Sequence, residues 1–503
     1  MIDSVIGYVS SLLFTLAFVA SLIFVCKGSK KGSPSKLPPG PAALPILGNL
    51  LHLGDQPHKS LAKLAKLHGP LISLKLGRVT AVVISSAPLA KEVLQTLDLT
   101  FADRSIVQAV EAHEHHRVSL AWLPVGAPWR NLRKICNSYI FASQKLDANQ
   151  DLRHKKIQQL LVNVHESCRV GAAVDIGQMA FNTSLNVLST IIFSLDLTDS
   201  SLDIVRELKE VSRCIMDELG KQNLADYFPM LRKFDLQGIM CRTSNYFARI
   251  FDLFDRIIDR RLQLRRKQGY IPNNDLLDTL LTLMNEHNEE EMDRNCMKHL
   301  FLDLIVAGTD TTSSTLEWAM TELLRNPKSL LKAREELEQT IGRDRFVQES
   351  DIARLPYLKA IIKETFRLHP AAPLLLPHKA GADVEICGFT VPKGAKVFVN
   401  VWAIDRDPIL WENPEYFMPE RFLGSDMDVR GRDFELIPFG AGRRICPGLP
   451  LAMRMLHLML GSLIYSFDWK LEEGITPESM DMEDRFGLTL QKAQPLRVIP
   501  MQL

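Results

Sequence analysis

Residues 438–448 read PFGAGRRICPG, and the fold is decided by how this stretch is understood. It sets Cys446 in a glycine-rich loop, behind Arg443 and Arg444 and ahead of Pro447 and Gly448. The residues that follow, LPLAMRMLHLMLGSLIYSF, predict an apolar helix. A sulfur near a helix N-terminus feels the positive end of the dipole and nearby backbone N–H groups, both of which favour the thiolate. Gly440, Gly442 and Gly448 let the backbone bend sharply or let a flat group lie against it. A lone cysteine without a C-x-x-C partner excludes a thiolate-rich zinc site. One thiolate, room for a flat neighbour and arginines for carboxylates together describe a haem held from its proximal side, with its propionates on guanidinium.

A second stretch is organised for complementary chemistry. HLFLDLIVAGTDTTSSTLEWAMTELL, residues 299–324, has the pattern of a long helix apolar enough to be buried at its centre. Ala307 and Gly308 place the two smallest side chains together, and Asp310, Thr311 and Thr312 put polar groups where core is expected. Buried polar residues call for a reason. Thr311 can bond back to the carbonyl four residues earlier and bend the helix, which Gly308 eases, leaving space for a small ligand and a water. Oxygen activation on a haem iron consumes protons on the distal side, and Asp310 beside the Thr311 hydroxyl suits a water-assisted relay.

Phe439, Gly442, Arg444, Cys446 and Gly448 spell F-x-x-G-x-R-x-C-x-G, and on these residues the chain resembles the haem-thiolate monooxygenases of the cytochrome P-450 superfamily. The resemblance runs from Leu37 to the C-terminus and implies a single haem domain, mainly α with small β-sheets. It implies a haem b with Cys446 as axial ligand of the iron, and Phe439, Gly442 and Gly448 shaping the loop around it. In WRNLRKIC, Trp129 and Arg133 lie four apart on one helix face and match the propionate-binding helix, joined by Arg444. His378, ending PAAPLLLPHKA, occupies a further propionate-contact position. Glu364 and Arg367 in KETFRLHP, with Arg421 in FMPERF, match a structural charge cluster on the proximal side. Position in the superfamily puts Val110, Ala307, Leu374, Leu375 and Leu488 against the substrate, with Asp303 as the polar candidate for a substrate hydroxyl.

Composition sets the bounds. A chain of 503 residues with 46% hydrophobic content can bury a large core, and no interior linker or repeat divides it. A net charge of +1 argues against nucleic acid as a partner. The eight scattered cysteines fit a reducing compartment rather than a disulfide framework. Val5 to Cys26 is uncharged and about the ~20 residues that span a bilayer. Lys27, Lys30, Lys31 and Lys36 follow it, so the positive-inside rule predicts a retained anchor with the rest of the chain in the cytosol. The expected organisation is therefore an anchor over 1–26, a basic linker and proline-rich hinge over 27–41 and the haem domain over 42–503, at the endoplasmic reticulum membrane.

Elsewhere the pattern predicts an amphipathic helix over His58–His68, a strand pair in LISLKLG and TAVVIS, and a mostly helical stretch from Arg153 to Met297. His113, His115 and His116 read as a surface loop, and Glu289 to Glu291 as a solvated face. No G-x-G-x-x-G opens a helix after a strand, so electrons are expected from a separate NADPH-cytochrome P-450 reductase. LGDQPHKSLAKLAKLHGPLISLKLG, VAGTDTTSSTLEWAM and FGLTLQKAQPLRVIP resemble the plant geraniol hydroxylase group. That implies O2-dependent hydroxylation of a small terpenoid, such as geraniol or nerol at an allylic methyl. A diterpene or phenolic oxidase, a reductase-independent haem-thiolate isomerase or dehydratase, and a haem sensor without turnover stand as alternatives.

Overall fold

The computed structural model describes residues 36–197, 203–286, 292–342 and 345–503. The expected anchor, most of the basic linker and Glu289 to Glu291 lie outside these residues. The architecture is a helical body with small sheets at its side.

Its axis is the Arg294–Arg325 helix, opened by Asp293, whose Oδ1 accepts from the Cys296 N–H at 2.6 Å. The helix Ile176–Phe193 runs against it, and Gly308 is what allows the approach. A Cβ added there would stand 2.7 Å from Leu188 Cδ1. Gly308 therefore serves close helix packing, and the helix runs unbroken through the A-G-T-D-T-T segment. The Leu449–Ser466 helix packs on the axis and buries Leu451, Leu456, Leu458, Leu460, Leu463 and Ile464. Each such side chain contributes about 1.5–3 kcal/mol. Among the described residues this is the one helix long and apolar enough to cross a membrane, and it is a core helix.

The strand pair forms as expected, Leu71–Leu76 against Val79–Ile84, antiparallel with Leu71 opposite Ile84. β-branched Val82, Val83 and Ile84 are fully buried, and Lys396–Val399 joins them in parallel. His378–Lys379 and then Asp103–Arg104 complete this five-stranded sheet. The proline-rich entry is stitched to the opposite edge. Ser73 donates its N–H to Pro39 O at 2.9 Å and its hydroxyl to Pro38 O at 2.6 Å. A Cβ on Gly40 would lie 2.0 Å from Ser73 O.

Between 150 and 286 the described residues are mostly helical, interrupted after Gly171 and after Ser194, both left-handed, and at 220–223 and 269–275, with only short 3-10 turns at Leu224–Asp226 and Pro229–Phe234 in the 226–238 stretch. VEICGFTVPKGAKVFVN turns back on itself at Cys387–Gly388. Cys387 and Gly388 both take positive φ, so Val384–Ile386 and Phe389–Val391 make a hairpin of their own. The histidine loop departs from expectation most. His115 is buried, because its ring is hydrogen-bonded to His299 and Asp303 of the central helix.

Candidate active site

The proximal loop is held by its own backbone. The Cys446 N–H donates to Phe439 O at 3.0 Å, while the Gly448 and Leu449 N–H groups at the start of the core helix point at the sulfur. Burial pushes the thiol pKa up, against those N–H groups and Arg133, which favour the thiolate. A Cβ on Gly448 would sit 3.7 Å from Sγ and 3.8 Å from the Phe141 ring. Gly442 has a different task. It takes φ +63°, and a Cβ there would lie 1.9 Å from Leu94 O, so the loop presses directly on the 92–96 turn. Phe439 packs edge-on against Phe366, 5.2 Å between centroids.

Cations ring this loop. Arg444 donates to Ala102 O at 2.7 Å, to Leu120 O at 3.3 Å and to Leu123 O, and its guanidinium lies 4.9 Å from the Trp129 ring centre. Arg133 donates to Ile445 O at 2.6 Å. His378 is buried, its Nδ1 2.6 Å from Phe101 O. Opposite it in the sheet register stands Arg104, a residue that sequence reasoning missed. It is buried, donates to Leu376 O at 2.7 Å and leaves Nε without a partner. Burial, then the Arg444 charge, lower Arg104 to about 9. Burial lowers Arg444 to about 10, with Asp103 opposing and Arg133 adding. Burial, then Arg104, drive His378 well below its usual range, so it stays neutral. Among the described residues none of these three arginines has a carboxylate within ion-pairing distance, although neighbouring Arg443 pairs with Asp98 at 3.0 Å. Cations in this state, Arg104 buried and Arg133 and Arg444 half-buried, fit an external anion, and a ligand with two carboxylates beside the Cys446 thiol fits a haem. In the sequence the signal for Arg104 was its strand partner His378, visible only once the pairing is known.

Behind the loop, Glu364 accepts two parallel bonds from Arg367, both 2.8 Å, one from Arg421 at 3.0 Å and one from the Met418 N–H at 2.8 Å. Arg367 reaches on to Asp405 O, Pro414 O and Tyr416 O. The Glu364–Arg367 pair is fully buried and fully hydrogen-bonded.

On the distal side Ala307 is exposed in the middle of a largely buried helix, which marks open space against it. Thr311 Oγ1 donates to Ala307 O at 2.8 Å, the back-bond that its position suggests. Asp310 faces elsewhere, since consecutive helical residues diverge by about 100°. It is buried, its Oδ1 accepting from Gln491 Nε2 at 2.6 Å with Thr489 also bonded to it. Burial raises its pKa against those two hydrogen bonds. The two residues are thus adjacent in sequence and anchored to different surroundings.

Asp303 is not free for a substrate hydroxyl. Its carboxylate accepts from Ser119 Oγ and the Leu120 N–H, both 2.7 Å, and meets His115 Nε2 at 3.2 Å. It fastens the 108–123 segment to the central helix, and the His115 and His299 Nδ1 atoms lie 2.7 Å apart in a hydrogen bond that continues the link. Of the apolar candidates, Val110 is fully buried and Leu374 packs with Leu53, Leu61 and Leu74 under the sheet, so both belong to core. Leu375 takes φ +51° and lies 3.8 Å from where a Cβ on Gly440 would be. Leu488 is half-buried at the tip of a C-terminal hairpin.

This donor set has known counterparts. The family model described as Cytochrome P450 matches residues 38–497. The chain belongs to the cytochrome P450 family. It is 54% identical to a geraniol 8-hydroxylase of Swertia mussotii over 491 residues, covering 98% of both chains. It is 53% identical to a geraniol 8-hydroxylase of Catharanthus roseus, again over 98% of both. A zebra fish cytochrome P450 solved with progesterone superposes with a TM-score of 0.75 at 26% identity, covering 88% of this chain and 99% of that one. As a cytochrome P450, the chain is a haem-thiolate monooxygenase whose iron takes a cysteine sulfur.

Proposed function

We propose that this cytochrome P450 hydroxylates an allylic methyl of a monoterpenol such as geraniol or nerol, using O2 and electrons from a separate NADPH-dependent reductase. The observation that carries the reading is Cys446 at the N-terminus of a core helix, ringed by Arg104, Arg133 and Arg444 without carboxylates. The identity of 53–54% to two geraniol 8-hydroxylases over nearly the whole chain supports the substrate class.

Each residue has a task in this reading. Cys446 would hold the iron, and Arg104, Trp129, Arg133, His378 and Arg444 would take the two propionates. When bound, the haem supplies oxygen activation and attack on an unactivated C–H bond. The chain supplies the rest. Ala307, Leu375 and Leu488 offer an apolar wall that excludes water and orients the methyl by shape. Asp310 holds a proton in a buried site, and the Thr311 hydroxyl presents one at the open side of the helix. Residues 1–26 anchor the chain in the endoplasmic reticulum membrane and 27–41 lead to the haem domain of 42–503, with the lysines after residue 26 on the cytosolic side.

The test uses the full chain in membranes with reductase, offered geraniol, nerol, an apolar diterpene and a phenol, with products read by mass spectrometry. An NADPH-dependent product heavier than geraniol or nerol by one oxygen is expected. Product from the diterpene or the phenol alone, or product without NADPH, would overturn the reading.

A further inference from the structure

The hairpin that ends in Asp484–Arg485 and Gln491–Lys492 touches three things at once. Its base is pinned to the start of the chain, where Asp484 accepts from Gln56 Nε2 at 3.0 Å and pairs with Lys59 at 2.9 Å. Its second strand is pinned to the central helix, where Ser314 Oγ donates to Leu490 O at 2.7 Å. Its tip lies on Gly220, just past the Asp203–Leu219 helix. A Cβ there would come within 2.5 Å of Leu488 N and 3.0 Å of Gly487 Cα.

Across the base runs a hydrogen-bonded chain. Arg485 Nη2 donates to Gln491 Oε1 at 2.7 Å, and Gln491 Nε2 donates to Asp310 Oδ1 at 2.6 Å. A guanidinium only donates and a carboxylate only accepts, so one orientation of the amide satisfies both ends. We propose that Gln491, oriented by Arg485, is a positioning residue for Asp310, and that the placement of the Gly487–Leu488 tip sets how firmly that carboxyl is held. The proposal rests on Asp310 serving the proton relay described above. Leu488 and Gln491 are three residues apart, at most about 10 Å of chain. Displacement of the tip by a bulky substrate therefore strains the bond that holds the acid.

The charged groups facing Asp310 are Asp217 on the Asp203–Leu219 helix, Arg485 on the hairpin and Glu317 on its own helix. Removing the amide donor takes away a bond that stabilises the carboxylate, so Asp310 should hold its proton to higher pH.

The experiment compares Gln491→Met, Arg485→Gln and Asp310→Asn as full-length, haem-loaded protein with reductase and geraniol. Product per NADPH and its pH profile are measured, and the Asp310 carboxyl is followed by infrared difference titration, its band identified by its loss in Asp310→Asn. Gln491→Met is expected to lower coupling about fivefold, the worth of one ordinary hydrogen bond, and to shift both the alkaline limb and the infrared titration upward. Arg485→Gln should do the same more weakly, at about twofold. If Asp310→Asn loses coupling while Gln491→Met titrates and couples like the parent, the positioning role is overturned and the relay stands. If Asp310→Asn couples normally, the relay reading falls and this proposal with it. Should Gln491→Met fail to take up haem, the exposed Arg485→Gln decides, and an unmoved carboxyl titration overturns the proposal.

Discussion

Around Cys446 buried Arg104 and half-buried Arg133 and Arg444 gather with no carboxylate partner among the described residues, whereas the acids of the central helix are matched from within the chain. Asp303 has Ser119, Leu120 and His115, Asp310 has Gln491 and Thr489, Glu317 has the Leu496 N–H at 2.8 Å, and Glu322 has His369 at 2.7 Å. The first arrangement is incomplete by one dianion, and the second is complete as it stands. Charge left over in a folded chain points to a ligand from outside, while charge satisfied by distant segments points to placement of those segments.

The contrast can be broken in several ways. Cys446→Ser should cost most, removing the thiolate signature of the carbon monoxide complex and essentially all turnover; a normal spectrum would refute the ligand. Thr311→Ala is next, expected to waste NADPH and lower coupling at least about tenfold, in keeping with a lost proton donor. Unchanged product per NADPH would remove the hydroxyl from the relay.

Arg444→Met and Asp303→Asn address the comparison itself. Removing a surplus cation should weaken haem retention several-fold yet leave the haem-free chain about as stable as the parent or more so, because a half-buried guanidinium without a carboxylate partner offsets its hydrogen bonds to Ala102 and Leu123 with a desolvation cost. Asp303→Asn should destabilise the haem-free chain by about 1–3 kcal/mol, since Ser119 and the Leu120 N–H lose a charged acceptor. Denaturant melts of the two would show opposite signs, and hydrogen exchange over 119–123 should rise only in the second. Equal signs would dissolve the distinction.

The smallest effect is with pH. Burial lowers His299 to about 3 and His457 to about 4, from 6.5 in the unfolded chain. The unfolded chain thus binds protons that the folded one refuses. Stability is whole above about pH 6.5 and falls as pH drops toward 4. His457→Gln should flatten that part of a plot of Tm against pH.

How much of this was legible in the sequence follows the same division. The proximal loop is one contiguous stretch, so its glycines, its cysteine and the following helix could be read together. The strand pair was legible because alternation and β-branching are local. The distal site is assembled by tertiary contact. His115 lies 184 positions from His299 and Gln491 lies 181 from Asp310, and no local period reports such meetings. Arg104 escaped because arginine is ordinarily read as surface, and its burial depends on pairing with a strand far along the chain. Asp303 was noticed, but its partners Ser119, Leu120 and His115 were not. A carboxylate on a buried helix declares that it needs donors without saying whether they come from the chain or from a guest.

The stitching of Pro38 and Pro39 to Ser73, with Gly40 pressed on the same residue, bears on how the body is carried. The chain leaves the sheet edge along a fixed track, so no swivel is available at the prolines themselves. A longer lead before Lys36 should therefore leave the sheet edge undisturbed, because Pro38 and Pro39 are held by Ser73 whatever precedes them.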